Sequence, residues 1–250
     1  MNTCLETNEL LEDALMRMRY QNRILKNAAD LKEWVDVLLP FGEQAVPHAA
    51  EVLSQLQTQE KWLNENPDVF EPLGRLASSS GHRELMNYLR KCAKEGKPLA
   101  VYHLFCISPS LEFEKLLIHE LERLGTREYG VAFGLDRGMI LFALSDYGTQ
   151  ESLRYLKVLE KDLLATIQLQ WTRLQKIMTE EELTDLEEIQ EDAEMMMWGP
   201  GGGWRGEQLS IFQHICRLGG FHGDVEHYGE LLQQRLESEN HPESTSGGEA

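Results

Sequence analysis

Apolar positions along the first forty residues recur at helical spacing. Leu11, Leu15, Met18 and Leu25 share one stripe, and Ile24, Ala28, Leu31, Val35 and Leu38 step by four, three, four and three. That 3.5-residue seam predicts a coiled coil or helical hairpin, packed on the same chain or on a partner chain. Pro40 and Gly42 end it. Pro47 suits the first turn of a second helix, with Val52, Leu53, Leu56 and Leu63 on its apolar face. Pro67 and Pro72 break this pattern, and a serine cluster, Ser78 to Ser80, precedes a helix carrying Leu85, Tyr88, Leu89 and Cys92 inward. Glu95-Gly96-Lys97-Pro98 is a stop signal.

The pattern then changes. LAVYHLFCI, Leu99 to Ile107, is a continuous apolar run rich in aromatic and β-branched residues, which predicts a buried strand. Ser108-Pro109-Ser110 offers a cap for a helix from Leu111 to Leu124, which Gly125 ends. Tyr129–Leu135 and Met139–Ser145 read as two further strands around Gly134-Leu135-Asp136-Arg137-Gly138. Thr149 caps a long helix marked by Leu153, Leu156, Leu159, Leu163, Ile167, Trp171 and Leu174. Thr179 and Glu182 have the spacing of a capping box, followed by an acidic segment with Leu183, Leu186 and Ile189 on one stripe. Two shorter helices follow the loop WGPGGGWRG, one with Ile211, Phe212, Ile215 and Leu218, the other with Tyr228, Leu231, Leu232 and Leu236.

The expected fold is α+β and helix-dominated, with a small three-stranded sheet in β-α-β-β order among about eight helices. Its parts are a helical region over 1–97 with the seam at 11–38, a βαββα region over 98–178, and a helical region over 179–237 containing the loop 198–206. The polar segment 238–250 reads as a disordered tail.

Charge narrows the partners. The chain of 250 residues carries 42 Asp+Glu against 24 Lys+Arg, a net −18. A field of that sign disfavours direct nucleic-acid and anionic-membrane binding and suits a basic partner, although basic residues can still cluster locally. Cys4, Cys92, Cys106 and Cys216 are scattered without a C-x-x-C pair, the usage of a reducing, cytoplasmic compartment. The acidic start lacks the pattern of a secretory signal, and no apolar run approaches the roughly 20 residues of a membrane span.

The Gly134–Gly138 segment is the first candidate site. As a hairpin loop it would present backbone N–H groups to an anion, with Arg137 adding charge and Asp136 able to meet a cation. The strand–helix–strand–hairpin–strand order from Leu99 to Gln168, with Gly134 and Asp136 in the loop, resembles the core of diguanylate cyclase (GGDEF) and related palm-like domains. The resemblance implies a nucleotide- or small-ligand-responsive domain. Arg137 and Gly138 stand where the family's second acid and aromatic belong, and the first strand lacks an acid, so it implies a catalytically dead version. The alternative is a plain turn whose Asp bonds its own backbone.

Trp198 and Trp204 bracket a glycine-rich loop ending in Arg205 and Gly206. Lacking the Lys-Ser/Thr pair of a phosphate loop, it reads as a tether or a partner contact, with a small-ligand site as the third reading. Met195 to Met197 read as a helix end on the core. His214, Cys216, His222 and His227 match no zinc spacing, and His214 and Cys216 point apart on a helix. His103 and Cys106 on a strand would face opposite sides of the sheet. No metal or cofactor is expected. Serine-hydrolase, zinc-protease and nucleotide phosphate-loop motifs are absent from the sequence.

The expectation is a non-catalytic interaction or regulatory protein acting through helical surfaces by partner docking or self-association. Ile24, Leu31, Val35, Leu38, Trp198, Trp204 and Arg205 are the candidate contacts. The other readings are a ligand-responsive hairpin at Gly134, Asp136, Arg137 and Gly138, and an acidic decoy for a nucleic-acid-handling protein.

Overall fold

The structure, a computed structural model, describes residues 28–125, 135–180, 182 and 206–240, with backbone only at 28–30. Every regular element among them is helical: α1 (Ala28–Leu38), α2 (Val46–Gln57), α3 (Glu60–Glu65), α4 (Phe70–Ser79), α5 (Arg83–Glu95), α6 (Pro98–Ile107), α7 (Leu111–Leu124), α8 (Arg137–Tyr147), α9 (Gln150–Ile177) and α10 (Glu207–Asn240). Short 3₁₀ segments join α1 to α2 and α3 to α4.

The expected three-stranded sheet is therefore wrong, and the fold is all-α across the described residues. LAVYHLFCI is helix α6, started by Pro98 in its first turn. Leu99, Ala100, Val101, Leu104 and Phe105 are buried, so the run is apolar on nearly all sides because the helix is covered on nearly all sides. A short run of that kind has the same hydropathy as a buried strand. Met139–Ser145 lies inside α8, which removes a second strand; the third, Tyr129–Leu135, falls outside the described residues except for Leu135. With the sheet goes the likeness to the palm-like domains, which rested on strand order.

The chain forms two compact units, residues 1–120 with 131–135, and residues 121–130 with 136–250. The first is centred on α4, against which α1, α5 and α6 pack. Leu31, Val35 and Leu38 of α1 are fully buried, as are Leu73 and Leu76 of α4, the helix on which α1 packs. Each such side chain contributes roughly 1.5–3 kcal/mol by leaving water. Gly74 lets α4 and α6 approach closely, since a Cβ there would lie 2.8 Å from Leu104 and 2.9 Å from Ile107. Polar links tie the periphery: Tyr88 Oη donates to Leu56 O (3.2 Å), Arg90 donates to Ser108 Oγ (2.6 Å), and Lys94 pairs with Glu112 (2.6 Å). Ser110 Oγ accepts from Phe113 N–H at the start of α7, and Gly125, with φ of 52°, follows its end.

In the second unit α9 and α10 pair along their length, and α8 packs on α10. The pairings run in opposite order: Gly148 meets Arg235, Gly229 approaches Leu156, Trp171 meets Phe212, and Ile177 meets Gln208. The helices are therefore antiparallel. At 1.5 Å per residue, α9 is about 42 Å long and α10 about 51 Å. Leu174, Ile211, Phe212 and Ile215 form a buried cluster where they join, with Ile167, Trp171, Met178 and Cys216 packed against it. Thr149 caps α9 through Oγ1, accepting from Glu151 N–H at 3.2 Å. The expected capping box forms too. Thr179 N–H donates to Glu182 Oε2 (2.7 Å) and Glu182 N–H to Thr179 Oγ1 (3.3 Å). The Thr179 backbone N–H, with its hydroxyl and Gln208, holds the Glu182 carboxyl below its ordinary range.

Residues expected as two helices around a glycine turn form one, α10. Gly219, Gly220 and Gly223 sit inside it, and a Cβ at any of them would meet nothing within 4 Å. Helical φ/ψ and open space mean alanine fits without strain while restricting the unfolded chain. Gly219→Ala, Gly220→Ala and Gly223→Ala should each stabilise the protein by about 0.5–1 kcal/mol in urea denaturation. A turn at these residues would instead make the substitutions neutral or harmful.

Candidate functional site

Helix α9 buries one stripe and leaves a broad face in water. Ser152, Leu153, Leu156, Leu163 and Leu174 are its buried residues, and α10 is its main partner. The outer side carries Arg154, Lys157, Lys161 and Lys176 together with Asp162, and the half-buried Glu151 and Glu160 lie one turn from Arg154 and Lys157. Arg154, Lys157 and Lys161 lie three and four residues apart, which stacks them on adjacent turns. Between them stand three large aliphatic side chains in water: Val158 (60% exposed), Leu164 (45%) and Leu169 (66%). In a chain with nearly two acids per base, α9 thus carries five bases to three acids.

Beside this face a cleft of about 450 Å³ opens between α9 and α10, lined by Gln170, Arg173, Glu207, Ser210, His214 and Arg217. The α10 members are spaced three, four and three residues apart, so they form one stripe; Gln170 and Arg173 are one turn apart on α9. Arg173 donates to Glu207 across the cleft. Ile211 lines its apolar part.

Of the residues expected to bind a ligand at 134–138, Asp136, Arg137 and Gly138 are described and each has a place in helix α8 or its cap. Gly134 lies outside the described residues. Asp136 is the N-cap of α8, its Oδ1 accepting from Met139 N–H at 2.8 Å. Arg137 stacks on Phe221 of α10, its guanidinium carbon 4.2 Å from the ring centre. Gly138 is in the first turn of α8. The segment is a loop-to-helix junction and not the turn of a hairpin.

Among the expected partner contacts, Leu31, Val35 and Leu38 are fully buried. Ile24, Trp198, Trp204 and Arg205 lie outside the described residues, as do Cys4, Met195–Met197 and nearly all of the acidic run after Glu180. His214 lines the cleft while Cys216 packs on the core, so they diverge as the helical spacing required. His103 and Cys106 are on a helix, three residues apart and on one side of it, contrary to the strand reading.

The chemistry around these groups is muted. Burial pushes the Cys92 thiol up, as it does Cys216, so both stay protonated near neutrality. Burial lowers the His103 pKa, more than offsetting Glu71 and Asp68; its Nε2 is 3.9 Å from Asp68 Oδ1, beyond a hydrogen bond. Among the described residues, no three His, Cys, Asp or Glu side chains gather as a metal site requires. No helix among them is long and apolar enough to cross a membrane.

Comparison of the chain with protein families, with curated proteins and with solved structures finds no match. The basic face of α9 and the cleft beside it were missed by sequence reasoning. Arg154, Lys157 and Lys161, and likewise Ser210, His214 and Arg217, were spaced for one face, but attention to the apolar stripe left the complementary stripe unread.

Proposed function

We propose that the protein acts without catalysis of its own, as an interaction protein whose outer α9 face docks an acidic amphipathic helix of a partner. One observation carries the reading: Arg154, Lys157 and Lys161 lie within a turn or two of the exposed Val158 and Leu164, with Leu169 and Lys176 further along the helix, in an otherwise acidic chain. A helix laid along this face would cover the aliphatic groups with its apolar stripe and set carboxylates against the bases. The apolar cover would supply most of the affinity, and the exposed ion pairs would set register and choice of partner.

Charge favours this occupant over a membrane or nucleic acid. Screening over about 8–10 Å confines a docked helix, itself about 10–12 Å wide, to the local basic field. An extended polyanion reaches past the face and meets the field of a chain whose net charge is −18. The exposed apolar groups of the face are aliphatic, without the tryptophan or phenylalanine that anchors interfacial helices.

A photo-crosslinking residue placed at Leu169 in the full chain, within its own cells, tests the proposal. The attached peptide should be an acidic segment with apolar residues at helical spacing. The paired change Lys157→Glu and Lys161→Glu should weaken its purified complex by about tenfold or more, and added salt should weaken the unmodified complex. Crosslinks to basic segments, to lipid or to nothing would overturn it, as would binding indifferent to the charge reversal.

A further inference from the structure

We infer that a second copy of this chain binds the side of the α9–α10 pair remote from α8, its α9 lying on the C-terminal half of α10 and its α10 on α9, bases against acids. The inference goes beyond the docking proposal and uses some of the same bases, so the two occupants compete for them. A helix turns its side chains by about 100° per residue. Leu156 on α9 and Gly229 on α10 approach each other and mark the line of contact. From that line, Arg154, Lys157 and Lys161 lie at about 160°, 100° and 140° round α9, and Leu164 at about 80°. Glu226 and Glu230 lie at about 60° and 100° round α10. Antiparallel helices turn in opposite senses when seen from one end, so these angles carry both sets to one common side. Trp171 and Phe212, at about 60° and 100° by the same count, meet edge to face on that side. Helix α8 occupies the other, holding Phe221 and Arg235 at about 280° and 240°.

Two properties select a second copy as the occupant. The first is charge. Arg154, Lys157, Lys161, Glu226 and Glu230 are all exposed. Among the described residues Arg154, Lys157, Lys161 and Glu230 form no ion pair, and Glu226 stands 4.0 Å from His222 Nδ1. Of the α9 acids, Asp162 lies at about 240°, away from this side, and Glu160 at about 40°, in the groove beside α10. The second property is level. Because Leu156 faces Gly229, residues 154–161 stand level with residues 224–231, and the three bases stand level with the two acids. A two-fold axis parallel to the helices keeps each residue at its level and sets α9 of one copy on α10 of the other. A surface that carries both charges in this way is its own complement, as an isologous interface requires. Leu164, 45% exposed, falls level with Phe221. There Gly219 and Gly223 leave α10 bare on the same side, and a Cβ at either would meet nothing within 4 Å. The assembly is a bundle of four helices, each antiparallel to its neighbours.

Sedimentation velocity of the full chain over a range of concentrations and salt tests the inference. A dimer that added salt weakens is expected, because the pairs are exposed. The change Lys157→Glu with Lys161→Glu, and separately Glu226→Lys with Glu230→Lys, should each weaken the dimer by about tenfold or more. An equimolar mixture of the two variants should regain it, since both contacts of the mixed dimer then set acid against base, and this recovery also shows that each variant is folded. A monomer at every concentration, a dimer indifferent to either reversal, or no dimer in the mixture would overturn the inference. The reversal at Glu226 and Glu230 leaves the bases of α9 in place. Crosslinking from Leu169 to an acidic partner should therefore persist in that variant, which separates a failure of this inference from a failure of the docking proposal.

Discussion

Leu31→Asp will unfold the first unit, whereas Val37→Asp on the same helix will be nearly silent. Leu31 is fully buried and Val37 is 45% exposed. A carboxylate at position 31 would have to lose its water beside the core side chains of α4 without a partner, and it would leave a gap as well. Truncation alone, Leu31→Ala, should cost about 2–5 kcal/mol. The buried charge adds to this, giving a total above about 4 kcal/mol, a large share of the stability of a domain. The exposed change should stay within about 0.5 kcal/mol. Urea denaturation followed by circular dichroism separates these outcomes. If Leu31→Asp kept the fold and removed only self-association, the α1 stripe would be a partner surface and not core.

Gly148→Ala and Arg235→Ala will each loosen the junction of α8, α9 and α10. A Cβ on Gly148 would lie 2.3 Å from Leu144 O and 2.8 Å from Ser152 Oγ. Leu144 O also accepts the Gly148 N–H at 2.9 Å, so it cannot retreat without breaking the end of α8. Overpacking of this kind costs about 1–3 kcal/mol. Arg235 donates to the carbonyls of Ser145 (3.0 Å) and Gly148, and pairs with Glu239 (2.6 Å). It thereby satisfies carbonyls at the α8 C-terminus that the helix itself leaves open. Its loss should cost about 1.5–3 kcal/mol. Arg235→Lys should recover only part, because a single ammonium lacks the fork that spans two carbonyls. Since both changes act on one junction, the double variant should lose less than the two losses added. Additive losses in thermal denaturation would mean that the glycine and the arginine do not share a structure.

The ends of helices were more legible in the sequence than the middle of the chain. Pro47 stands in a first turn and Gly125 past a helix end, and Ser110, Thr149 and the Thr179–Glu182 pair announce local bonds between near neighbours that form as the sequence required. The type of element at 99–107 and 139–145 was not legible. Both runs are nearly continuous in apolar residues, so neither helical nor strand periodicity showed. The deciding cues were Pro98 in a first turn and Asp136 as an N-cap. Asp136 was instead weighed as the tip of a hairpin, an error that followed from the strand assignments beside it. Gly219, Gly220 and Gly223 misled in the opposite way. Their propensity argues for a break, yet Phe212, Ile215, Leu218, Phe221 and Val225 carry one buried stripe through them, and packing overrides propensity. The basic residues on α9 and in the cleft were visible as letters. Their convergence depends on the antiparallel pairing of helices separated by residues 178–206, which no local pattern discloses.

Backbone NMR assignment of residues 99–107 and 139–145 tests the all-helical account at its most consequential point. Downfield Cα shifts with successive amide–amide contacts through both segments are the predicted result. Upfield Cα shifts with cross-strand contacts between them would restore the sheet and contradict the fold on which the α8–α10 surfaces depend.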